Sequence, residues 1–232
     1  MQGPEPRGRF GKLFDAGSIA FFGVGWLALV GVLVGEAGAV ASALWLLLLA
    51  APGLLAAEIG AGLFHWFADS FFTPHAPLIG PTIIRAFRDH HVDPGFMARR
   101  SSAEVSGQNC FACLPILGLG VLCDPSSTLG QLAVTSLLSF TAGIALTNLF
   151  HQWAHSEDVG PRVRWLQERG LILSPERHAL HHSGGHDRAF CVTTGWLNPG
   201  LDAIQFFPRL ERAIRRLGPQ RRRELAKDSR AN

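Results

Sequence analysis

Four stretches of this chain carry no Asp, Glu, Lys or Arg. Residues 16–35, between Asp15 and Glu36, are uncharged, and so are residues 37–57, between Glu36 and Glu58. A helix of about 20 residues crosses ~30 Å of hydrocarbon. Only Glu36 separates the two runs, which leaves room for a tight turn, so they read as a helical hairpin. A third uncharged run covers 105–123; its strongly apolar part, 110–123, is short and contains Pro115. The fourth, 125–150, is long enough to cross outright. The expectation is an all-α integral membrane protein with four transmembrane helices, at about 16–35, 38–58, 106–123 and 128–150. Segment 106–123 has a re-entrant or interfacial course as its alternative. Composition agrees: 47% of residues are hydrophobic and 17% charged, against about a quarter charged in soluble domains. Disorder, coiled coil and collagen are excluded, and no nucleic-acid partner is expected.

Basic residues orient the helices. Arg7, Arg9 and Lys12 precede the first; Arg85, Arg88, Arg99 and Arg100 lie between the second and third; Arg162, Arg164, Arg169 and Arg177 follow the fourth. The turns around Glu36 and Asp124 hold no Lys or Arg. Both termini and the middle loop are therefore expected on the cytoplasmic side. This divides the chain into an N-terminal segment 1–15, a membrane domain 16–208 and a basic tail 209–232. A cleaved signal peptide is the alternative for the N-terminus, but the apolar core is too long and a second span follows directly. Only Lys12 and Lys227 are lysine among 21 basic residues. That bias suggests a GC-rich bacterial genome, and so an inner membrane.

Ten histidines are many for 232 residues, and nine of them cluster. His65 closes the second helix with Trp66 and Asp69. His90 and His91 read as a loop pair before Asp93 and Pro94. His151 and His155 close the fourth helix, followed by His178, His181, His182 and His186. Residues three or four apart share a helix face. So do His65 with Asp69, His151 with His155, and His178 with His181 and His182. The second and fourth helices are expected to continue past the bilayer as rods carrying these side chains. Neutral imidazole suits iron, zinc, copper or nickel, and nine imidazoles exceed one tetrahedral zinc site. They suit two metals. His75 stands apart as a surface or structural residue. Cys110 and Cys113 form a C-x-x-C inside an apolar run and read as small residues of a membrane helix.

Taken together, His65-Trp66-x-x-Asp69, His90-His91-x-Asp93-Pro94, His151-x-Trp153-x-His155, His178-x-x-His181-His182 and the run Phe190-Cys191-Val192-Thr193-Thr194-Gly195-Trp196-Leu197-Asn198 resemble the plasmanylethanolamine desaturase family. That family takes in the CarF-type proteins and lies within the wider class of histidine-box membrane desaturases and hydroxylases. The likeness runs from about residue 60 to 211. It departs at Ala189, near which the family often has an aromatic, at Gly185 in place of proline, and in Ser70-Phe71-Phe72. These departures bear on substrate fit and remove no ligand.

The resemblance implies a cytoplasmic cap holding two iron ions on His65, His90, His91, His151, His155, His178, His181, His182 and His186. Asp69 is implied as a catalytic acid that binds metal or orients a ligand, and the count of histidines favours orientation. The implied reaction is O2-dependent desaturation of a 1-O-alkyl ether phospholipid, plasmanylethanolamine, to the vinyl ether of a plasmalogen. Gly23-x-Gly25-x-x-Ala28 matches a dinucleotide fingerprint only on paper, because it lies in a hydrophobic span with no strand before it. Electrons must come from an external donor, a cytochrome b5-like or ferredoxin-like protein. Arg85, Arg88, Arg99 and Arg100 are candidates for the lipid phosphate as well as for topology. The alternatives are a fatty-acyl or lipid desaturase or hydroxylase on the same site, and a non-catalytic zinc-binding membrane regulator.

Overall fold

The computed structural model describes residues 8–37 and 41–217. Residues 1–7, 38–40 and 218–232, which include the expected turn of the first hairpin and much of the basic tail, lie outside the described residues. Among the described residues every regular element is helical. Four helices are long and apolar enough to cross a membrane: α1 (Arg9–Ala37), α2 (Ala41–Phe71), α5 (Ser102–Leu119, extended by a 3-10 turn Gly120–Leu122) and α6 (Thr128–Ala154). Short helices connect them: a π-helical turn Gly80–Ile84, α3 (Arg85–Val92), α4 (Gly95–Ala98), α7 (Pro161–Glu168), α8 (Pro175–His182), α9 (Asn198–Ala203) and α10 (Phe206–Leu217).

The chain forms two compact units. One joins residues up to Gly60 with Arg100–Gln152. It packs α1, the first half of α2, α5 and α6 around Leu29, Leu33, Leu117, Val134 and Leu138. Large apolar side chains face outward: Phe21, Val24, Leu27, Leu47 and Leu129 are each at least 65% exposed. A protein surrounded by water rarely shows such a surface; lipid tails accept it. Helices drawn together in lipid need close packing and polar contacts instead. Gly107 lets α5 close on Asp15, where an added Cβ would come 2.6 Å from its Cα. Trp26 Nε1 donates to the Leu138 carbonyl at 2.9 Å, and Asn109 Nδ2 to the Ile144 carbonyl at 2.8 Å.

Segment 106–123, with its two alternatives, is helical throughout the apolar run. Pro115 sits inside α5, as Pro52 sits inside α2, without ending either helix. Ser101 caps α5 by accepting from Glu104 N, and Glu104 lies in the first turn, a sequence signal for a helix start. Cys110 and Cys113 are buried on α5, and the Cys113 thiol reaches the Thr141 carbonyl.

The second unit joins Ala61–Arg99 with residues from Trp153 onward. It holds the end of α2 and all the short helices from α3 to α10 except the α5 region. Its apolar centre is Trp66, Phe190, Cys191 and Phe207. One expectation is corrected here: His90 and His91 lie on helix α3, not on a loop. Residues 85–92 make only about two turns, and a single short helix has little stability of its own. It forms because the π-helical turn leads straight into it and His90 is buried on it.

A candidate metal centre

Two groups of donor atoms lie side by side in the second unit. In one, ligand atoms of His65, Asp69, His91 and His181 fall within 4.8 Å of one another. In the other, those of His90, His155, His178 and His182 do the same. Helix geometry explains this division. Successive residues on a helix point about 100° apart, so neighbours cannot serve one site. α3 therefore gives His90 to one group and His91 to the other. α8 gives His178 and His182, one turn apart, to the first of these and His181 to the second. The expectation that His178, His181 and His182 act together from one face is replaced by this split. His151 is buried on α6, one turn before His155. His186 stacks on His91, with ring centroids 4.2 Å apart, outside both donor groups. His75 is exposed.

The ring orientations are set from behind. His65 Nδ1 lies 3.1 Å from the Phe190 carbonyl, His181 Nδ1 2.8 Å from that of Arg188, and His90 Nδ1 3.2 Å from that of Ala86. A carbonyl only accepts, so each Nδ1 carries the proton and each Nε2 keeps its lone pair. The Nε2 atoms of His65, His91 and His181 face Asp69 Oδ2 at 3.4, 3.7 and 3.5 Å. Asp69 thus presents its carboxylate to the same point as the three ring nitrogens.

Burial keeps His90, His91, His155 and His182 neutral. His155 is pushed down to about 4, by burial first and by His181 next. His182 is pushed down to about 3, by burial and then by His155, His181 and His186. Burial also drives His90 and His91 well below the usual histidine range. Neutral imidazole is the metal-binding form.

The donor set fits metal ions. His178 Nε2 lies 2.9 Å from both His155 Nε2 and His182 Nε2. One ring proton cannot satisfy three nitrogens, whereas bonds of about 2.0–2.1 Å to a shared cation place donors at right angles about 2.9 Å apart.

Several residues that hold this arrangement do so in a way the sequence does not state. Arg88 Nη2 donates to the carbonyls of Asp69 at 2.8 Å and Phe72 at 2.7 Å, closing the end of α2 beneath Asp69. Arg99 pairs with Asp93, and Arg100 with Glu104. Three of the four arginines considered for lipid phosphate are therefore engaged within the protein. The Phe190–Asn198 run also has a structural account. Asn198 accepts from Cys191 N and donates to Cys191 O, both at 2.9 Å. Arg177 donates to the Thr194 carbonyl at 2.9 Å. These bonds fix Phe190, whose ring packs T-shaped with His65 at 5.7 Å between centroids and tilted against His181 at 5.0 Å. Gly195, at φ 75°, makes the turn between them. Asn198 stands in the sequence motif, but only the fold shows what its amide does.

Residues 54–224, more than half the chain, match the lipid desaturase domain. The chain belongs to the lipid desaturase family. It is 38% identical over 172 residues to plasmanylethanolamine desaturase of Myxococcus xanthus, covering 73% of this chain and 61% of that protein. It is 38% identical over 171 residues to plasmanylethanolamine desaturase 1 of Mus musculus, covering 71% and 63%. Fatty acid desaturase 4, chloroplastic, of Arabidopsis thaliana is 30% identical over 161 residues, covering 68% and 48%. The matches to the first two span about three-fifths of those proteins' length. No solved structure matches the chain at a significant level. With four membrane-length helices, this member of the lipid desaturase family is an integral membrane protein.

Proposed function

We propose that the chain is an O2-dependent di-iron desaturase that forms the vinyl ether of a plasmalogen from a 1-O-alkyl ether phospholipid. The observation that carries this reading is the pair of adjacent donor groups, each rich in neutral imidazole. The names of the two relatives at 38% identity supply the substrate, plasmanylethanolamine. In the balanced reaction, –O–CH2–CH2–R, O2, two electrons and two protons give –O–CH=CH–R and two waters.

One iron would be held by His65, Asp69, His91 and His181. The other would be held by His90, His155, His178 and His182, with His151 added by its place one turn from His155. Bound iron supplies what zinc cannot, the reduction of dioxygen and the power to break an alkyl C–H bond. The protein residues hold the ligands and exclude water. Backbone carbonyls at Phe190, Arg188 and Ala86 hold the ring protons on Nδ1. Phe190 and Phe87 wall the site beside His65. Asp69 is read as a ligand, because its carboxylate faces three Nε2 atoms and no Nδ1. His186 is read as a ring that supports His91 by stacking.

The basic residues argue that both termini and the histidines are cytoplasmic, in the inner membrane of a bacterium. Reporter fusions after Glu36 and Asp124 should then report the outside, and fusions after Arg100 and Arg169 the inside. Electrons come from a cytochrome b5-like or ferredoxin-like partner. A second reading, desaturation of a fatty-acyl chain, is favoured by the relative named fatty acid desaturase 4.

The deciding experiment is expression in a plasmalogen-free host fed an alkyl ether lipid, with lipid analysis with and without oxygen. Vinyl ether should form only with oxygen. A hydroxylated lipid or an unsaturated acyl chain would move the activity to a related enzyme. Zinc with no oxygen-dependent product would make the chain a metal-binding regulator.

A further inference from the structure

A cavity of about 200 Å³ opens beside α10 in the second unit. Its apolar lining is Trp66, Phe190 and Phe207; its charged lining is Asp187, Glu211, Arg212 and Arg215. Arg215 is tied to Glu211 by bonds of 3.0 and 2.7 Å. Among the described residues, Arg212 and Asp187 hold no ion pair, so the rim offers one free cation and one free anion. Trp66 is 3% exposed, and its indole N–H has no hydrogen-bond partner. A buried donor left so costs free energy until an acceptor meets it.

We infer that this cavity binds the phosphoethanolamine head of the lipid substrate. The phosphate would meet Arg212 and the Trp66 N–H, and the ammonium would meet Asp187. The inference rests on the reading of the substrate as an ethanolamine ether phospholipid. Opposite charges on one rim suit a zwitterion better than an anion. A primary ammonium can also donate to a carboxylate, which a choline head cannot do.

Position relative to the metal centre supports the same occupant. Phe190 stands between the cavity and the His65 group. Its ring is 4.8 Å from Phe207 on one side and 5.7 Å from His65 on the other. In the lipid, six single bonds of about 1.5 Å separate phosphorus from the first alkyl carbon, roughly 8 Å when extended. A head seated on Phe207 therefore leaves the carbons next to the ether within reach of the donor groups. An acyl position in mid-chain would lie much farther away.

The test is lipid retention by the purified full-length protein, read by native mass spectrometry. The probes are 1-O-alkyl phospholipids with ethanolamine, choline or glycerol heads. The ethanolamine form should be retained most, and Arg212→Ala should cut that retention by about tenfold, the loss of one charge-assisted bond. Trp66→Phe keeps an aromatic ring and removes the N–H; the smaller ring lowers the unfolding temperature somewhat, but below that temperature it should weaken retention with bound iron unchanged. Equal retention of the three lipids, or unchanged retention in both variants, would overturn the inference. Displacement by micromolar free phosphoethanolamine would make the site one for a soluble compound and overturn the lipid assignment. Selective retention together with no vinyl ether in the fed host would keep this site and reject the proposed reaction.

Discussion

In the unit built from residues up to Gly60 and Arg100–Gln152, the largest apolar side chains point outward and glycines lie at the contacts. In the unit built from Ala61–Arg99 and residues from Trp153, the deeply buried side chains are polar: His65, Asp69, His90, His178 and His181 are each at most 2% exposed. The first arrangement is stable where the surroundings are as apolar as the side chains. Burying bare polar groups is costly in any surroundings, so the second needs partners for each of them. Backbone carbonyls supply part of that need, and bound metal is proposed to supply the rest. Mutations should therefore affect fold in one unit and metal content in the other.

The largest effect is expected at the donor groups. His181→Ala and Asp69→Asn should each abolish desaturation and lower bound iron from two per chain toward one, measured by metal analysis beside lipid products. If Asp69 only orients a histidine, the loss should be roughly 10–100-fold in metal affinity or activity instead. His75→Ala, at an exposed position, should change neither.

Gly107→Leu should break the other side of the comparison. The new side chain meets Asp15 backbone, and overpacking of this kind costs about 1–3 kcal/mol or more. The unfolding temperature should fall while iron per folded chain stays constant. Loss of iron in the folded fraction would show that the two units are not separable in this sense.

A matched pair of amide deletions sharpens the contrast. Asn198→Ala leaves both backbone groups of Cys191 without that partner, at about 1–3 kcal/mol for a buried group, and should loosen Phe190 and reduce iron retention. Asn109→Ala removes a contact to the Ile144 carbonyl and should cost nearer ~0.6 kcal/mol, the typical value within a membrane bundle, with iron unchanged. The smallest effect belongs to the outer surface. Val24→Ala, at a 70% exposed position, should stay within about 0.5 kcal/mol.

Much of this was legible in the chain alone. Absence of charge over whole helix lengths marks the four long helices, because a single ionised side chain in hydrocarbon is expensive. The histidine clusters singled out the imidazoles that the fold gathers, and the i, i+4 pairs His65–Asp69 and His178–His182 share a helix face as their spacing says. Spacing could not show that α3 is a helix, because eight residues are too few to hold a helix without neighbours to pack against.

Sequence by itself determined the membrane-length helices and the inventory of imidazoles, both local properties of composition and spacing. Tertiary structure alone decided how the imidazoles divide. α3 and α8 each feed both groups because adjacent residues diverge by about 100°, and no spacing along the chain states which partner lies on each side. It also decided the setting of Asp69 against three Nε2 atoms and the use of Arg88 to close α2 rather than to meet lipid. Apart from His65–Asp69, one helical turn apart, those contacts join residues from 16 to more than 100 positions apart, and only packing in three dimensions brings such residues together.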